Sequence, residues 1–353
     1  MKKMILVICA GFFLFQIAFS QSDVVKFLIA GKADANILAR AYLNPYALAL
    51  GDGLNNGWYN SAKTHKLFGL DLSVSVSAIK IPQSATTFDL NTLGFTKLVL
   101  EDPLKHIAPT VAGTDVDGPR LLVRENGKTL ASFNSPPGTG LDIVPLPMAQ
   151  LGFGLLPHTD LIVRFVPEMK YDNSGDEMKI GFWGLGVKHN FKEWIPVLKT
   201  LPFDASVFGS YSQLNAQSEL SLNPSDFSDG NVVVTFGADQ NQMLKFNTKT
   251  SKYGLILSKK IGILTVFGGL GHSKSETRIN LLGQYVVETT VQEGGLSFVT
   301  KDDLIDPIDL SFVSKNICMD AGLRLKLAFF SLFGSVNKAG YTSYNAGFSL
   351  GFR

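Results

Sequence analysis

Leu70-Asp71-Leu72-Ser73-Val74-Ser75-Val76-Ser77 alternates without a break: every even position is aliphatic and every odd position is polar. Successive side chains of a β-strand point to opposite faces, so this stretch forms a strand with one apolar and one polar face. The chain ends in the same way. In Tyr344-Asn345-Ala346-Gly347-Phe348-Ser349-Leu350-Gly351-Phe352, Tyr344, Ala346, Phe348, Leu350 and Phe352 share one face. Between these two stretches, Leu161, Val163 and Phe165 face one way and Arg164 the other. A soluble antiparallel sandwich also alternates. Strand lengths near the ~9–11 residues of a tilted transmembrane strand favour the membrane. So do aromatics gathered at the expected strand ends (Phe203, Tyr211, Tyr253, Tyr341, Tyr344), where an interfacial girdle belongs.

Composition agrees. The chain is 45% hydrophobic with a mean hydropathy of +0.16, high for a soluble exported protein. Beyond the N-terminus no stretch approaches the ~18 uninterrupted apolar residues of a helical span. The longest candidate, Ile261 to Leu270, is interrupted by glycine. An apolar chain without a membrane helix must spread its hydrophobicity over alternate positions, as a closed barrel does.

The N-terminus reads as an export signal over residues 1–20. Lys2 and Lys3 precede an apolar run from Met4 to Ala18, and Ala18-Phe19-Ser20 supplies a cleavable small-x-small pattern ahead of Gln21. The run is short for a membrane anchor. Leu6-Val7-Ile8-Cys9 looks like a lipoprotein box, but Phe12-Phe13-Leu14-Phe15 continues the apolar region past it. Cys9 leaves with the signal, so Cys318 stands alone and no intramolecular disulfide is expected. The net charge is +2, and removal of the two signal lysines brings it to zero. A nucleic-acid binder normally carries a clear basic excess, so none is expected as a partner.

Strands are expected near 68–80, 145–156, 159–171, 177–189, 202–216, 239–248, 250–258, 261–272, 277–288, 315–327, 330–338 and 341–353. The fold class is therefore all-β, a closed antiparallel transmembrane β-barrel of about twelve strands over 68–353. Its long connections, 81–144, 217–238 and 289–314, all fall at one end, as the external loops of outer-membrane barrels do. The other end has short turns such as Leu156-Pro157-His158-Thr159, and the chain is expected to begin and end on that side. Within 81–144, Leu121 to Arg124 and Thr129 to Phe133 flank Asn126-Gly127, a hairpin signal. As a flap it leaves about twelve strands; joined to the wall it makes about fourteen. Between Asn190 and Pro202, Phe191, Trp194, Ile195, Val197 and Leu198 suggest a short amphipathic helix, lying in the membrane interface or covering a turn.

Residues 21–67 do not read as wall. Val25, Phe27, Leu28, Ala35, Ile37 and Leu38 recur at helical spacing, and dense turn chemistry follows from Gly51 to Asn60 with Trp58 and Tyr59 in it. This suits a plug folded inside the lumen; a periplasmic extension is the alternative. Candidate plug contacts are Trp58, Tyr59, Asn60 and Lys63. On the wall, Arg164 and Glu168 share a face four residues apart and are expected to point into the lumen, meeting Asp71 and Ser73. They either form a structural ion cluster or line a substrate path, since lumen residues tune selectivity.

Catalytic chemistry is not evident. Gly347-Phe348-Ser349-Leu350-Gly351 matches a nucleophile elbow, but it lies in the last strand and only Phe352 and Arg353 follow it. His65, His106, His158, His189 and His272 are scattered without metal-ligand spacing. The glycines from Gly181 to Gly186 lack the Lys-Ser/Thr ending of a phosphate loop and more readily make room for curvature or a packed plug. No enzyme, catalytic residue, metal or cofactor is expected.

The run Leu54-Asn55-Asn56-Gly57-Trp58-Tyr59-Asn60-Ser61-Ala62-Lys63-Thr64-His65-Lys66 resembles an uncharacterised exported family of Gram-negative outer-membrane barrels, over most of the mature chain. The layout is also similar to the long-chain fatty-acid and hydrocarbon transporter family, in which an N-terminal hatch containing Asn-Pro sits inside a fourteen-stranded barrel. Asn44-Pro45 matches in part, with Tyr46 where a small residue is usual. That family implies a terminal aromatic recognised by the barrel assembly machinery; here the chain ends Phe352-Arg353. The resulting expectation is an outer-membrane channel or transporter for small hydrophobic molecules, surrounded by outer-membrane lipid and gated by its plug. The alternative is a scaffold that binds a partner through the external loops.

Overall fold

The computed structural model describes residues 27–173, 176–220, 228–229, 232–236, 242–293 and 296–352, so the expected export signal lies outside the described residues. Ten strands form the wall: β1 (Leu70–Lys80), β2 (Ile143–Leu156), β3 (Thr159–Asn173), β4 (Asp176–Asn190), β5 (Asp204–Glu219), β6 (Met243–Ile261), β7 (Leu264–Leu282), β8 (Ile308–Leu327), β9 (Phe330–Lys338) and β10 (Thr342–Phe352). Each pairs antiparallel with its chain neighbours, and β1 closes the barrel by pairing with both β2 and β10. Closure leaves no open edge where all ten strands pair; above that zone β8 extends past β9 and pairs with β7 alone.

The wall has ten strands rather than twelve or fourteen. The expected strands 239–248 and 250–258 are halves of β6, whose ladder with β7 runs unbroken from Met243 to Ile261. Likewise 261–272 and the start of 277–288 belong to β7. The polar stretch from Asn247 to Lys252 resembles a turn, but it is a continuous strand with two polar faces. On β6 the outward Tyr253, Leu255 and Leu257 are apolar, while Lys245, Asn247, Lys249 and Ser251 beyond them are polar. Only the half nearest the short turns carries an apolar outer face. The hairpin about Asn126-Gly127 forms as read, with both residues at positive φ. It joins 98–100 in a separate three-stranded sheet and not the wall.

The barrel is inside out relative to a soluble protein. Leu72, Val76, Leu151, Phe165, Leu185, Leu255, Leu323 and Phe348 are exposed on the outside, whereas Ser73, Ser75, Ser77, Ser206, Ser212, Thr250 and Ser275 are buried within. Apolar surface on this scale marks contact with another apolar phase. Trp183 and Tyr211 touch at 5.5 Å between centroids and Tyr253 stacks on His272 at 5.8 Å. They form part of an aromatic row at the upper edge of the apolar zone. Tyr211 and Tyr253 lie in mid-strand, because their strands continue beyond them, whereas Phe203, Tyr341 and Tyr344 sit at the ends of β5 and β10 as expected.

The long connections, now 81–142, 220–242 and 283–307, fall at one end. At the other, Phe191–Trp194 and Pro196–Lys199 form two single turns of helix. Trp194, Ile195 and Val197 are all exposed there, which suits immersion in an interface better than covering a turn.

Helix α1 (Gly31–Leu54) follows a 3-10 turn at Phe27–Ala30. Its 24 residues span roughly 36 Å, and it packs against β1, β2, β6, β7 and β8, so it lies inside the barrel. Its direction reads off β8. Asn36 donates to the Pro307 carbonyl just ahead of that strand, Arg40 to Ser311, Tyr59 to Asp320, and Asn60 accepts from Arg324. Phe27 therefore lies at the long-loop end and Lys66 at the short-turn end. The wall begins on the short-turn side as expected, but the segment before it first traverses the whole lumen. At the top, Phe27, Leu28, Leu38 and Tyr42 pack with Leu90, Leu121 and Phe133 of the 81–142 connection and with Leu281 and Leu310 of the wall. The buried Asp34 carboxylate accepts backbone N–H groups from Thr96, Lys97 and Leu98, tying helix to cap.

Candidate functional site: the plugged lumen

Below α1 the chain from Asn55 to Lys66 has no regular secondary structure and threads a lumen lined by small polar side chains. Its seat is built in three layers. In the upper layer Arg164, 1% exposed, donates from Nη1 to the Leu54 carbonyl at 3.1 Å, from Nη2 to the Asn56 carbonyl at 2.8 Å and from Nε to Gln150 at 3.0 Å. Its guanidinium lies 3.9 Å over the Trp58 ring, a stacking that Arg makes and Lys does not reproduce. Gln150 in turn donates to the Trp58 carbonyl. Gly184 and Gly186 face Trp58, and a Cβ at either would come within 3.1 Å of the indole. Gly184 and Gly186 thus make room for the plug, whereas Gly181 faces Glu168 of the neighbouring strand.

The middle layer centres on Asp320. It accepts from Lys252 at 2.8 and 3.0 Å, from the Tyr59 hydroxyl at 2.6 Å and from Asn337 at 2.8 Å. Both charges of the Lys252–Asp320 pair are buried, which is tolerable only because every carboxylate oxygen is bonded.

In the lowest layer the plug backbone itself is held. Ser258 accepts from the Ala62 N–H, Ser206 donates to the Ala62 carbonyl, and Lys188 donates to the Ser61 and Lys63 carbonyls. Asp160 pairs with Lys188 at 3.0 Å and accepts from the His65 backbone. A cavity of about 270 Å³ opens here at the short-turn mouth. A second, of about 690 Å³, opens at the long-loop mouth between α1 and the cap, lined in part by Ile37, Ala41, Pro45, Phe88 and Leu93.

Of the residues singled out in the sequence, Trp58, Tyr59, Asn60 and Arg164 meet in this seat. Lys63 contributes its carbonyl, while its side chain is exposed. Asp71 is inward but faces Arg324, 3.8 Å away, and Ser73 is buried beside it on β1. Arg164 does not meet either of them: Gln150 stands between, paired with Ser73 across β1 and with Arg164 across β3. Glu168 leaves the lumen altogether. The β3–β4 register shifts between Val166 and Met169, so the bulge at Pro167 inverts the alternation and Glu168 becomes exposed. The sequence reading missed Gln150, Asp160, Lys188, Lys252, Asp320 and Arg324. Asp320 and Arg324 were readable, since they share parity with Cys318 and Gly322 between the outward Met319, Leu323 and Leu325. The pseudo-motif serine, Ser349, is fully buried within unbroken β10. Asn44-Pro45 lies inside α1.

Gly57 has φ +69°, and a Cβ there would sit 2.7 Å from Asn345 Nδ2. Gly57→Ala should cost the plug's seating about 1–2 kcal/mol. Trypsin cleavage at Lys63 and Lys66 should then accelerate roughly 5- to 30-fold, with the wall still resistant.

Among solved structures, the attachment invasion locus protein Ail of Yersinia pestis, in complex with the heparin analogue sucrose octasulfate, is 10% identical (81% of this chain, 100% of that one; TM-score 0.28). The translocator domain of autotransporter NalP from Neisseria meningitidis is 11% identical (87% and 93%; TM-score 0.30). The P. putida toluene transporter TodX is 12% identical (89% and 71%; TM-score 0.25). These overlaps are too loose to carry any property across. No curated protein matches the sequence. The family of unknown function DUF6588 matches residues 1–352, and the chain belongs to that family.

Proposed function

We propose that this chain is an outer-membrane channel of a Gram-negative bacterium that admits small apolar molecules and is held closed by its own N-terminal segment. The apolar outer face of the ten-stranded wall supports the membrane location. The observation that carries the channel reading is how the lower plug is fastened. From Asn55 to His65 the segment is held to the wall by hydrogen bonds to Ser, Lys, Arg and Asp side chains, beside one small apolar cluster in which Trp58, Tyr59 and Ala62 pack against Ile162, Phe208 and Ile256. Water can take over those bonds when the segment moves, so release costs chiefly the burial of Trp58 and Tyr59, a far smaller apolar contact than the one around the upper helix. The upper helix, by contrast, is embedded in an apolar cluster and stays anchored. The apolar side chains at the long-loop mouth support a hydrophobic solute. The 81–142 connection buries Leu90, Leu121 and Phe133 in the cluster around α1, so it serves as a cap on the plug, while Leu104, Ile107 and Val116 stay exposed.

The hydroxyls of Ser61 and Ser258 are 3.4 Å apart, close enough for a disulfide in Ser61→Cys/Ser258→Cys. In planar bilayers the oxidised variant should stay silent and the reduced one should show the gating of wild type. Equal conductance in both states would rule out movement of this segment as the gate.

A further inference from the structure

We propose that the short-turn mouth is a binding site for a small, multiply charged oxyanion that bridges plug and wall. The cavity of about 270 Å³ is lined by Lys63 and Lys66 from the plug and by Lys260, Arg324 and Lys326 from the wall. Against these five cations stand Asp71 and Asp204, because Asp160 is already neutralised by Lys188. Among the described residues none of Lys63, Lys66, Lys260 and Lys326 has a side-chain ion pair or hydrogen bond, and Arg324 Nε is buried without a partner. Like charges gathered from two separate segments around one cavity repel one another, and that repulsion falls when an anion enters. Arg324 adds a planar donor set suited to phosphate or carboxylate. Polar positions beside it, Asn60 and Ser331, already orient the guanidinium. The bound anion contacts plug and wall together, so it acts as a latch on the closed state.

Phosphate-type chemistry can come from a free anion or from a phospholipid headgroup at the mouth, and the test separates the two. Delipidated protein in detergent is titrated with inorganic phosphate by calorimetry, and retained phospholipid is measured by 31P NMR before delipidation. Lys260→Gln/Lys326→Gln changes two exposed wall lysines outside the plug's seat, so the fold and the direct contacts that seat the plug are left intact. Saturable phosphate binding, weakened roughly tenfold or more in the double variant, supports a free-anion site. Phospholipid retained by wild type and lost in the double variant, without phosphate binding, supports the same site with a headgroup as its source. Wild type and variant behaving alike in both assays would overturn the proposal. Binding is read without conductance, so this outcome is separable from failure of the channel reading.

Discussion

Arg164→Met should leave the barrel folded and its plug loose. Arg164 makes three hydrogen bonds from a charged group, two of them to plug carbonyls, each worth about 1.5–3 kcal/mol. Burying a guanidinium with no carboxylate beside it costs several kcal/mol, which docking must overcome. The balance leaves a net loss of about 2–4 kcal/mol on substitution. The Leu54 carbonyl keeps its bond from Trp58, but the Asn56 carbonyl loses its donor. At 1.4 kcal/mol per decade, the open population should rise by at least tenfold. Open probability in bilayers measures it directly, while the folded band on a cold gel should persist. Arg164→Lys should resemble Arg164→Met, because one ammonium cannot bridge Leu54, Asn56 and Gln150 at once or stack on Trp58 in the same way.

The largest loss of wall stability should come from Asp320→Ala. The substitution strands Lys252 as a buried, unpaired charge and removes the acceptor of Tyr59 and Asn337. Breaking a buried pair from one side costs about 3–5 kcal/mol. The midpoint of urea unfolding should fall accordingly. Lys252→Met/Asp320→Leu should recover most of it, since an apolar pair of similar volume carries no desolvation penalty. Tyr59→Phe should cost about 1.5–3 kcal/mol, less than Asp320→Ala, and act on the plug alone. If the double variant is as unstable as Asp320→Ala, packing and not charge governs this layer.

The wall was legible wherever one face of a strand is apolar. β1, β9 and β10 sit within two residues of where the alternation placed them. It failed where both faces are polar, as in Asn247 to Lys252, because nothing in such a stretch separates a turn from a continuous strand. Glu168 failed for a different reason. A bulge one residue wide reverses every later side chain, and Pro167 was the local hint. The plug's presence was readable from helical spacing and turn density, but its direction was not. Direction depends on pairings as distant as Asn36 with Pro307. The seat's charged residues, Asp160, Arg164, Lys188, Lys252 and Asp320, were spread over four strands, each unremarkable until closure brings them together.

The seat, the gate and the mouth site all require residues 27–66 to thread the barrel. Lys32 and Lys66 are both exposed and lie at opposite mouths, while the native thiol of Cys318 is buried. Lys32→Cys and Lys66→Cys, made separately, should be treated with a membrane-impermeant maleimide on intact cells and again after the outer membrane is permeabilised. The threaded plug predicts labelling of Lys32→Cys on intact cells and of Lys66→Cys only after permeabilisation. Labelling of both only after permeabilisation would contradict it and would put the N-terminal segment in the periplasm, outside the barrel.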